Sequence, residues 1–237
     1  MLTNLVIPKN YIPKNRKPSD GFFITIAGNV GAGKSTFTKL LGEKLNFKTS
    51  YEKVDDNPYL EDFYQDQARW GFHLQLYFLS QRFQDQKAIA AANENHIQDR
   101  SIYEDAEIFA KSLYDNGKMS ERDFHTYSEL FYAMMSPYLV KPDLMIYLDG
   151  SVDTMIDRIR QRGREMEKAV PREYWLNLHN RYTKWLTEYK ESPVLIVNID
   201  KVDLVENPNQ IDEIIGEIKK LQNHDVRRPR ELRSIVK

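Results

Sequence analysis

Residues Gly28 to Ser35 read Gly-Asn-Val-Gly-Ala-Gly-Lys-Ser. Gly28 and Gly33 bracket four residues, and Lys34-Ser35 follow at once, which is the phosphate-loop pattern. No other feature constrains the fold as much. Such a loop works only between a strand that delivers it and a helix whose N-terminus it opens. Both flanks are present. Phe22-Phe23-Ile24-Thr25-Ile26-Ala27 is an apolar, β-rich run. Thr36 to Leu45 carries Phe37, Leu40, Leu41 and Leu45 at helical spacing. A chance glycine turn is the competing reading, and the strand–helix context argues against it. The backbone N–H groups of Gly28, Asn29, Val30, Gly31, Ala32, Gly33, Lys34, Ser35 and Thr36 are therefore expected to cradle a nucleoside triphosphate. Lys34 can reach the β- and γ-phosphates, and the Ser35 hydroxyl can ligate Mg²⁺.

Composition narrows the class. A chain of 237 residues with 41% hydrophobic content can bury the core of one α/β domain. The formal charge of −1 gives no global field to recruit nucleic acid. Cysteine is absent, which excludes disulfides, thiolate metal sites and Cys nucleophiles. No apolar run is long enough to span a bilayer. Leu5-Val6-Ile7 is too short for a secretory signal, and Pro8-Lys9 interrupts it, so a cytoplasmic protein is expected.

Strand and helix signals alternate along the chain. After the phosphate loop, strands are expected at Phe47–Val54, His96–Asp99, Leu144–Leu148 and Val194–Val197. Helices are expected at Pro58–Tyr64, Trp70–Ala92, Ile102–Tyr114, Ser120–Met135, Val152–Arg162, Pro171–Tyr189 and Asn209–Leu221. The stretch Phe72 to Leu79 is apolar all round, which implies burial on every side. The fold class is thus α/β, with five parallel strands and helices on both faces. Three segments are expected: an extension over 1–20, a phosphate-loop domain over 21–222, and a basic tail over 223–237. Ile7-Pro8-Lys9-Asn10 recurs as Ile12-Pro13-Lys14-Asn15, which reads as a mobile arm, with a docked extended segment as the alternative.

Ligands of such sheets bind at the C-terminal strand ends. Glu52 follows the second strand and could take a proton from an attacking hydroxyl; a rim salt bridge is an equal alternative. Asp99-Arg100 follows the third. Asp99 can hold Mg²⁺ and Arg100 can offset charge on a transferred group, against a plain ion pair. In Arg158-Ile159-Arg160-Gln161-Arg162-Gly163-Arg164, Arg162 and Arg164 border a glycine break, as arginines of a closing lid do. Arg158 and Arg160 read as a solvated face. Asp200-Lys201-Val202-Asp203 nearly matches a guanine-reading motif but has Asp for Asn, and no Asp-x-x-Gly occurs, so a GTPase reading is weak.

Taken together, these segments resemble the deoxyribonucleoside kinase family, closest to the bacterial deoxyadenosine/deoxycytidine kinases. The resemblance runs from Phe22 to Asp203. It is carried by Gly28–Thr36, Glu52–Tyr59, Trp70–Gln75, Asp99–Asp105 and Arg162–Glu167. It implies a P-loop kinase fold with an arginine-rich lid, ATP as donor, Mg²⁺, and a deoxynucleoside as acceptor. It implies Glu52 as general base, Arg100 as the group that steers the 5′-hydroxyl, and Lys34, Arg162 and Arg164 on the phosphates. Asp99 stands where the family usually has Glu, so an indirect Mg²⁺ contact is implied. Tyr64 and Glu167 match the pair on the sugar 3′-hydroxyl.

The base pocket follows from the same residues. Gln75 is an amide in an apolar helix segment and needs a partner, which the family supplies as the base edge. Arg82 lies two turns on, on the same face. Phe109 can stack on the base while Asp105 accepts from the exocyclic amine of cytosine or adenine; thymine presents a carbonyl that Asp105 would repel. Deoxyadenosine and deoxycytidine, with deoxyguanosine, are the expected substrates. A nucleoside monophosphate kinase of the same architecture is the alternative, but Glu167 would repel a substrate phosphate. A non-catalytic nucleotide-binding subunit would have lost Glu52 or Arg100. The helices from Trp70 and Ser120 carry more apolar surface than one layer hides, and the resemblance implies that they pack in a homodimer, or in a heterodimer with a sister subunit. No nucleic-acid or membrane partner is expected.

Overall fold

The central strands carry apolar side chains on both faces, as a sheet buried between two helical layers requires. The computed structural model describes residues 2–8, 11, 21–202, 204, 207 and 209–223, with backbone alone at 135–138 and 223. Its elements in chain order are β1 (Thr3–Val6), β2 (Phe23–Ala27), α1 (Lys34–Leu45), β3 (Lys48–Ser50), α2 (Leu60–Gln65), α3 (Gln67–Ala92) and β4 (His96–Asp99). Then follow α4 (Ile102–Glu104), a π-helical turn over Asp105–Ala110, α5 (Lys111–Asp115), α6 (Glu121–Tyr138) and β5 (Leu144–Asp149). The chain closes with α7 (Val152–Arg162), α8 (Glu165–Lys168), α9 (Arg172–Glu188), β6 (Val194–Asn198) and α10 (Gln210–Asn223).

The sheet has six strands in the order β1-β6-β5-β2-β4-β3. Five are parallel; β1 runs antiparallel to β6, pairing Thr3 with Val197 and Val6 with Val194. This corrects the expectation of five parallel strands. The reason lies in residues 2–7: Leu2, Leu5 and Ile7 are partly buried against the core, so the segment caps the free edge of β6. The docked alternative therefore holds for Thr3–Val6. Residues 9, 10 and 12–20, where the Pro-Lys repeat lies, and the basic tail from His224 fall outside the described residues.

In β5, Leu144, Ile146 and Leu148 join a core with Phe37 and Leu41 of α1 and Ile211, Ile214 and Ile218 of α10. Met145 and Tyr147 face the other way, onto Trp175, Leu178 and Tyr182 of α9. A third cluster joins α2, α3 and α6 through Phe63, Leu74, Leu79, Tyr127 and Phe131. Around α3, burial is one-sided within the single chain: Leu74, Gln75 and Leu79 are buried, whereas Phe72, Leu76, Tyr77 and Phe78 are half-buried.

Two element expectations also change. The second parallel strand ends at Ser50 rather than Val54, because an edge strand with one neighbour loses its ladder early, so Glu52 sits on a loop. The helix expected over Ile102–Tyr114 is interrupted by the π turn. Such a turn inserts an extra residue per turn and recurs at functional sites.

Candidate active site

In the parallel sheet, Ile26 of β2 pairs with Asp99 of β4 on one side and Ile146 of β5 on the other. The loops leaving β2 and β4 therefore emerge side by side. A cavity of about 910 Å³ opens at this rim.

The phosphate loop contributes Val30 to Thr36 to its wall. Gly31 has φ +80°, and a Cβ there would meet the Met155 carbonyl oxygen at 2.3 Å, so only glycine fits. Gly28 and Asn29 lie behind the wall rather than on it. Asn29 is fully buried and braces the loop, donating from Nδ2 to the Trp175 carbonyl at 3.0 Å and accepting from the Val30 N–H at 2.8 Å. Lys34 Nζ donates to the Asn29 carbonyl at 3.0 Å. Burial, then the Arg100 charge, lowers its pKa to about 8. Ser35 Oγ donates to Asp99 Oδ2 at 2.5 Å, and Asp99 Oδ1 is buried with no hydrogen-bond partner. Burial raises the Asp99 pKa, against the pull of Lys34.

Glu52 faces the loop across the same cavity. Its Oε1 lies 2.9 Å from Arg100 Nε and 3.3 Å from Arg82 Nη2. Burial alone would raise its pKa, but Arg100, Arg82 and Lys34 outweigh burial and hold it below the ordinary 4.5. Glu52 is thus ion-paired, as the rim salt-bridge alternative has it, and it also lines the cavity. Arg100 adopts φ +66°, in the left-handed region, and its guanidinium carbon sits 4.5 Å over the Phe109 ring. A positive φ at a non-glycine residue is costly and gathers at functional sites.

Gln75, Asp105 and Phe109 also line the cavity, and Gln75 Oε1 is buried without a partner. The π turn brings Asp105 and Phe109 to one wall. Arg82 does not line the cavity. It sits behind the wall, donating to Asp105 Oδ2 at 3.1 Å and to the Asp99 carbonyl at 2.7 Å while pairing with Glu52. Burial lifts the Asp105 pKa to about 6, although Arg82 opposes it. Tyr64 and Glu167 are both on the wall, as are Arg162 and Arg164. The two arginines are ion-paired here: Arg162 with Glu167 at 2.6 Å and Arg164 with Asp55 at 3.0 Å.

A family description, "Deoxynucleoside kinase", matches residues 24–223 of the chain. The chain belongs to the deoxynucleoside kinase family. It is 50% identical over 211 residues to the deoxyadenosine/deoxycytidine kinase of Bacillus subtilis (strain 168), covering 89% of this chain and 94% of that one. It is 39% identical to the deoxyadenosine kinase of Dictyostelium discoideum, covering 90% and 84%. A deoxyadenosine kinase from M. mycoides, solved with dCMP and a flexible dCDP, superposes with a TM-score of 0.73 at 34% identity, covering 84% of this chain and all of that one. The same enzyme with dATP bound gives 0.73 at 34% identity, covering 83% and 98%.

Sequence reasoning missed several residues of this deoxynucleoside kinase. Arg158 was expected on a solvated face. It is half-buried instead, and donates to the carbonyls of Ala32, Ile199 and Val202 at 3.2, 3.1 and 3.4 Å, tying the phosphate loop to the segment after β6. Arg160 is exposed, as expected. Asp200 accepts from the N–H of Ser151, the residue that caps α7, at 2.9 Å; Asp203 lies outside the described residues. Tyr174 lines the cavity. Glu104 and Tyr182 lie beneath it, and only Glu104 left a readable signal, the Ser101-x-x-Glu104 capping box. Among the described residues no helix is long and apolar enough to cross a membrane.

Proposed function

We propose that the chain transfers the γ-phosphoryl group of ATP to the 5′-hydroxyl of a deoxyribonucleoside, with deoxyadenosine and deoxycytidine, and also deoxyguanosine, as acceptors. The observation that carries this reading is that Glu52 and the phosphate loop share one cavity. Glu52 takes the proton of the 5′-hydroxyl, and its depressed pKa keeps it ionised for that task. Arg100 steers the hydroxyl and balances charge on the transferred group. Lys34 leaves the Asn29 carbonyl and turns to the phosphates. Arg162 and Arg164 form an arginine-rich lid, exchanging Glu167 and Asp55 for donor phosphates. Tyr64 and Glu167 then hold the sugar 3′-hydroxyl.

Mg²⁺ fits the donor set formed by the Ser35 hydroxyl and Asp99, whose Oδ1 is buried and unpartnered. Once bound, it would offset negative charge on the β- and γ-phosphates. At the base end, Gln75 Oε1 is a free acceptor and the Asp105 carboxylate can accept from an exocyclic amine. A charge-assisted hydrogen bond of about 1.5–3 kcal/mol gives about tenfold to hundredfold discrimination against thymidine. The half-buried side of α3, with exposed Tyr132 and Leu130 on α6, supports a two-fold homodimer, with a sister subunit as the other occupant.

The test is a deoxynucleoside panel with ATP and Mg²⁺, read as nucleoside 5′-monophosphate formed. Deoxyadenosine or deoxycytidine should exceed thymidine by roughly tenfold or more in kcat/KM. Equal use of thymidine would overturn the base assignment.

A further inference from the structure

Glu104 is fully buried, yet does not line the cavity. Its Oε2 accepts from the Ser101 N–H and hydroxyl at 2.7 and 3.0 Å, and with the Glu104 N–H donating to Ser101 Oγ at 3.3 Å the capping box is complete without Oε1. Its Oε1 points the other way, and accepts from the Gly28 N–H at 3.2 Å, Arg100 Nη1 at 3.4 Å and the Tyr182 hydroxyl at 2.7 Å. Tyr182 is also fully buried, its ring set beside Tyr147 and Trp185. Its hydroxyl shares its hydrogen between Glu104 and the Gly28 carbonyl, at 2.9 Å from the latter, and accepts from Arg100 Nη1 at 2.8 Å. The N–H and C=O of the first loop glycine and one arm of Arg100 therefore meet at two buried side chains.

We propose that Glu104 and Tyr182 are positioning residues for phosphoryl transfer, locking the Gly28 peptide to the Arg100 guanidinium so that donor cradle and steering cation keep a fixed spacing. The proposal rests on the reading that Arg100 serves the transfer. Its physical motive is the Arg100 backbone. A left-handed φ of +66° is unfavourable for an L-residue and persists only where surrounding contacts over-determine it. Glu52 supplies one such contact, but Glu52 must turn to the substrate hydroxyl. Glu104 and Tyr182 hold Arg100 from the side away from the cavity and stay in place through the cycle. A small displacement of a steering group costs far more in rate than in ground-state binding.

The experiment measures kcat and KM of the full chain with ATP, Mg²⁺ and deoxycytidine. The variants are Glu104→Gln, Tyr182→Phe, Arg100→Lys and the two doubles with Arg100→Lys. Each of Glu104→Gln and Tyr182→Phe should lower kcat roughly tenfold with KM for deoxycytidine within about threefold. In the Arg100→Lys background, adding either should cost less than about twofold, because the group they position is already displaced. A role confined to fold stability would cost the same factor in both backgrounds, and that result overturns the proposal. Wild-type kcat in both single variants, alongside a clear loss in Arg100→Lys, also overturns it while leaving the Arg100 reading intact. Wild-type kcat in Arg100→Lys removes the Arg100 reading itself. Should Glu104→Gln fail to fold, Tyr182→Phe and its double carry the same comparison, since the phenyl ring keeps its aromatic neighbours.

Discussion

Replacing Glu52 by glutamine keeps the shape of the side chain and removes the carboxylate that faces the phosphate loop across the cavity. Loss of a positioned general base lowers kcat by roughly 10²–10⁴, or about 3–5 kcal/mol of barrier. The stability cost is smaller. The glutamine amide oxygen can still face Arg100 and Arg82, now 2.9 and 3.3 Å from Glu52, so each ion pair weakens to an ion–dipole contact, about 1 kcal/mol apiece. Both guanidinium groups keep another acid, Arg82 at 3.1 Å from Asp105 and Arg100 at 3.4 Å from Glu104. The total of about 2 kcal/mol corresponds to a Tm lower by about 4–8 °C for a chain of this length. ATP affinity should stay within about threefold, because the loop amides and Lys34 are unchanged. Steady-state ADP release, calorimetric unfolding and ATP titration separate the three quantities. A variant that folds, binds ATP and turns over within about fivefold of the parent would refute the base role.

The remaining predictions use other parts of the cavity. The folded pKa of Asp105, about 6, lies above its ordinary 3.8, so its proton is held more tightly in the native state, and both ionisation and the attendant loss of stability come as pH rises toward and through 6. The kcat/KM ratio of deoxycytidine to thymidine should therefore climb between about pH 5 and 7, and Asp105→Ala should flatten it and lower it roughly tenfold; a flat ratio in the parent would take Asp105 out of base selection. Lys34, with its pKa lowered to about 8, is partly neutral at that pH, and triphosphate would restore its charge, so ATP binding should take up roughly half a proton at pH 8. Calorimetry in buffers of different ionisation enthalpy reads this uptake, and identical heats in all buffers would count against it. Gly31→Ala drives a Cβ to 2.3 Å from the Met155 carbonyl oxygen at φ +80°, and should cost about 3 kcal/mol or more and abolish tight ATP binding; unfolding and ATP titration of the variant check both, and normal binding would show that the loop tolerates another path.

How much of this was legible in advance depended on distance along the chain. The phosphate loop was readable because strand, loop and helix are consecutive and the glycine demands are local, as the positive φ of Gly31 and Gly33 confirms. The parallel strands were readable from unbroken apolar runs such as Leu144–Leu148. β1 was not, because its alternation is only four residues long and its stability comes from β6, nearly two hundred positions away. Nor was the π turn, since periodicity over Ile102–Tyr114 looks continuous and the inserted residue shows only in the backbone.

The site divides along the same line. The phosphate loop named Lys34, residue types at strand ends named Glu52, Asp99 and Arg100, and the family resemblance added Gln75 and Asp105, all before any contact was known. Only the fold could decide what each one touches. Helical spacing put Arg82 on the base wall, but packing of α3 against β4 set it behind Asp105 and Glu52 instead. Spacing left Arg158 in solvent, but α7 lies against the phosphate loop and turns that side chain onto three carbonyls. Glu104 passed unremarked in the sequence, and its bridging role appears only once α9 brings Tyr182 beneath Gly28. The chain by itself determined the phosphate-binding chemistry, because that chemistry is written in backbone conformation over eight neighbouring residues. The tertiary structure decided which buried charges neutralise one another, because Coulomb forces and hydrogen bonds act through space between segments far apart in the sequence.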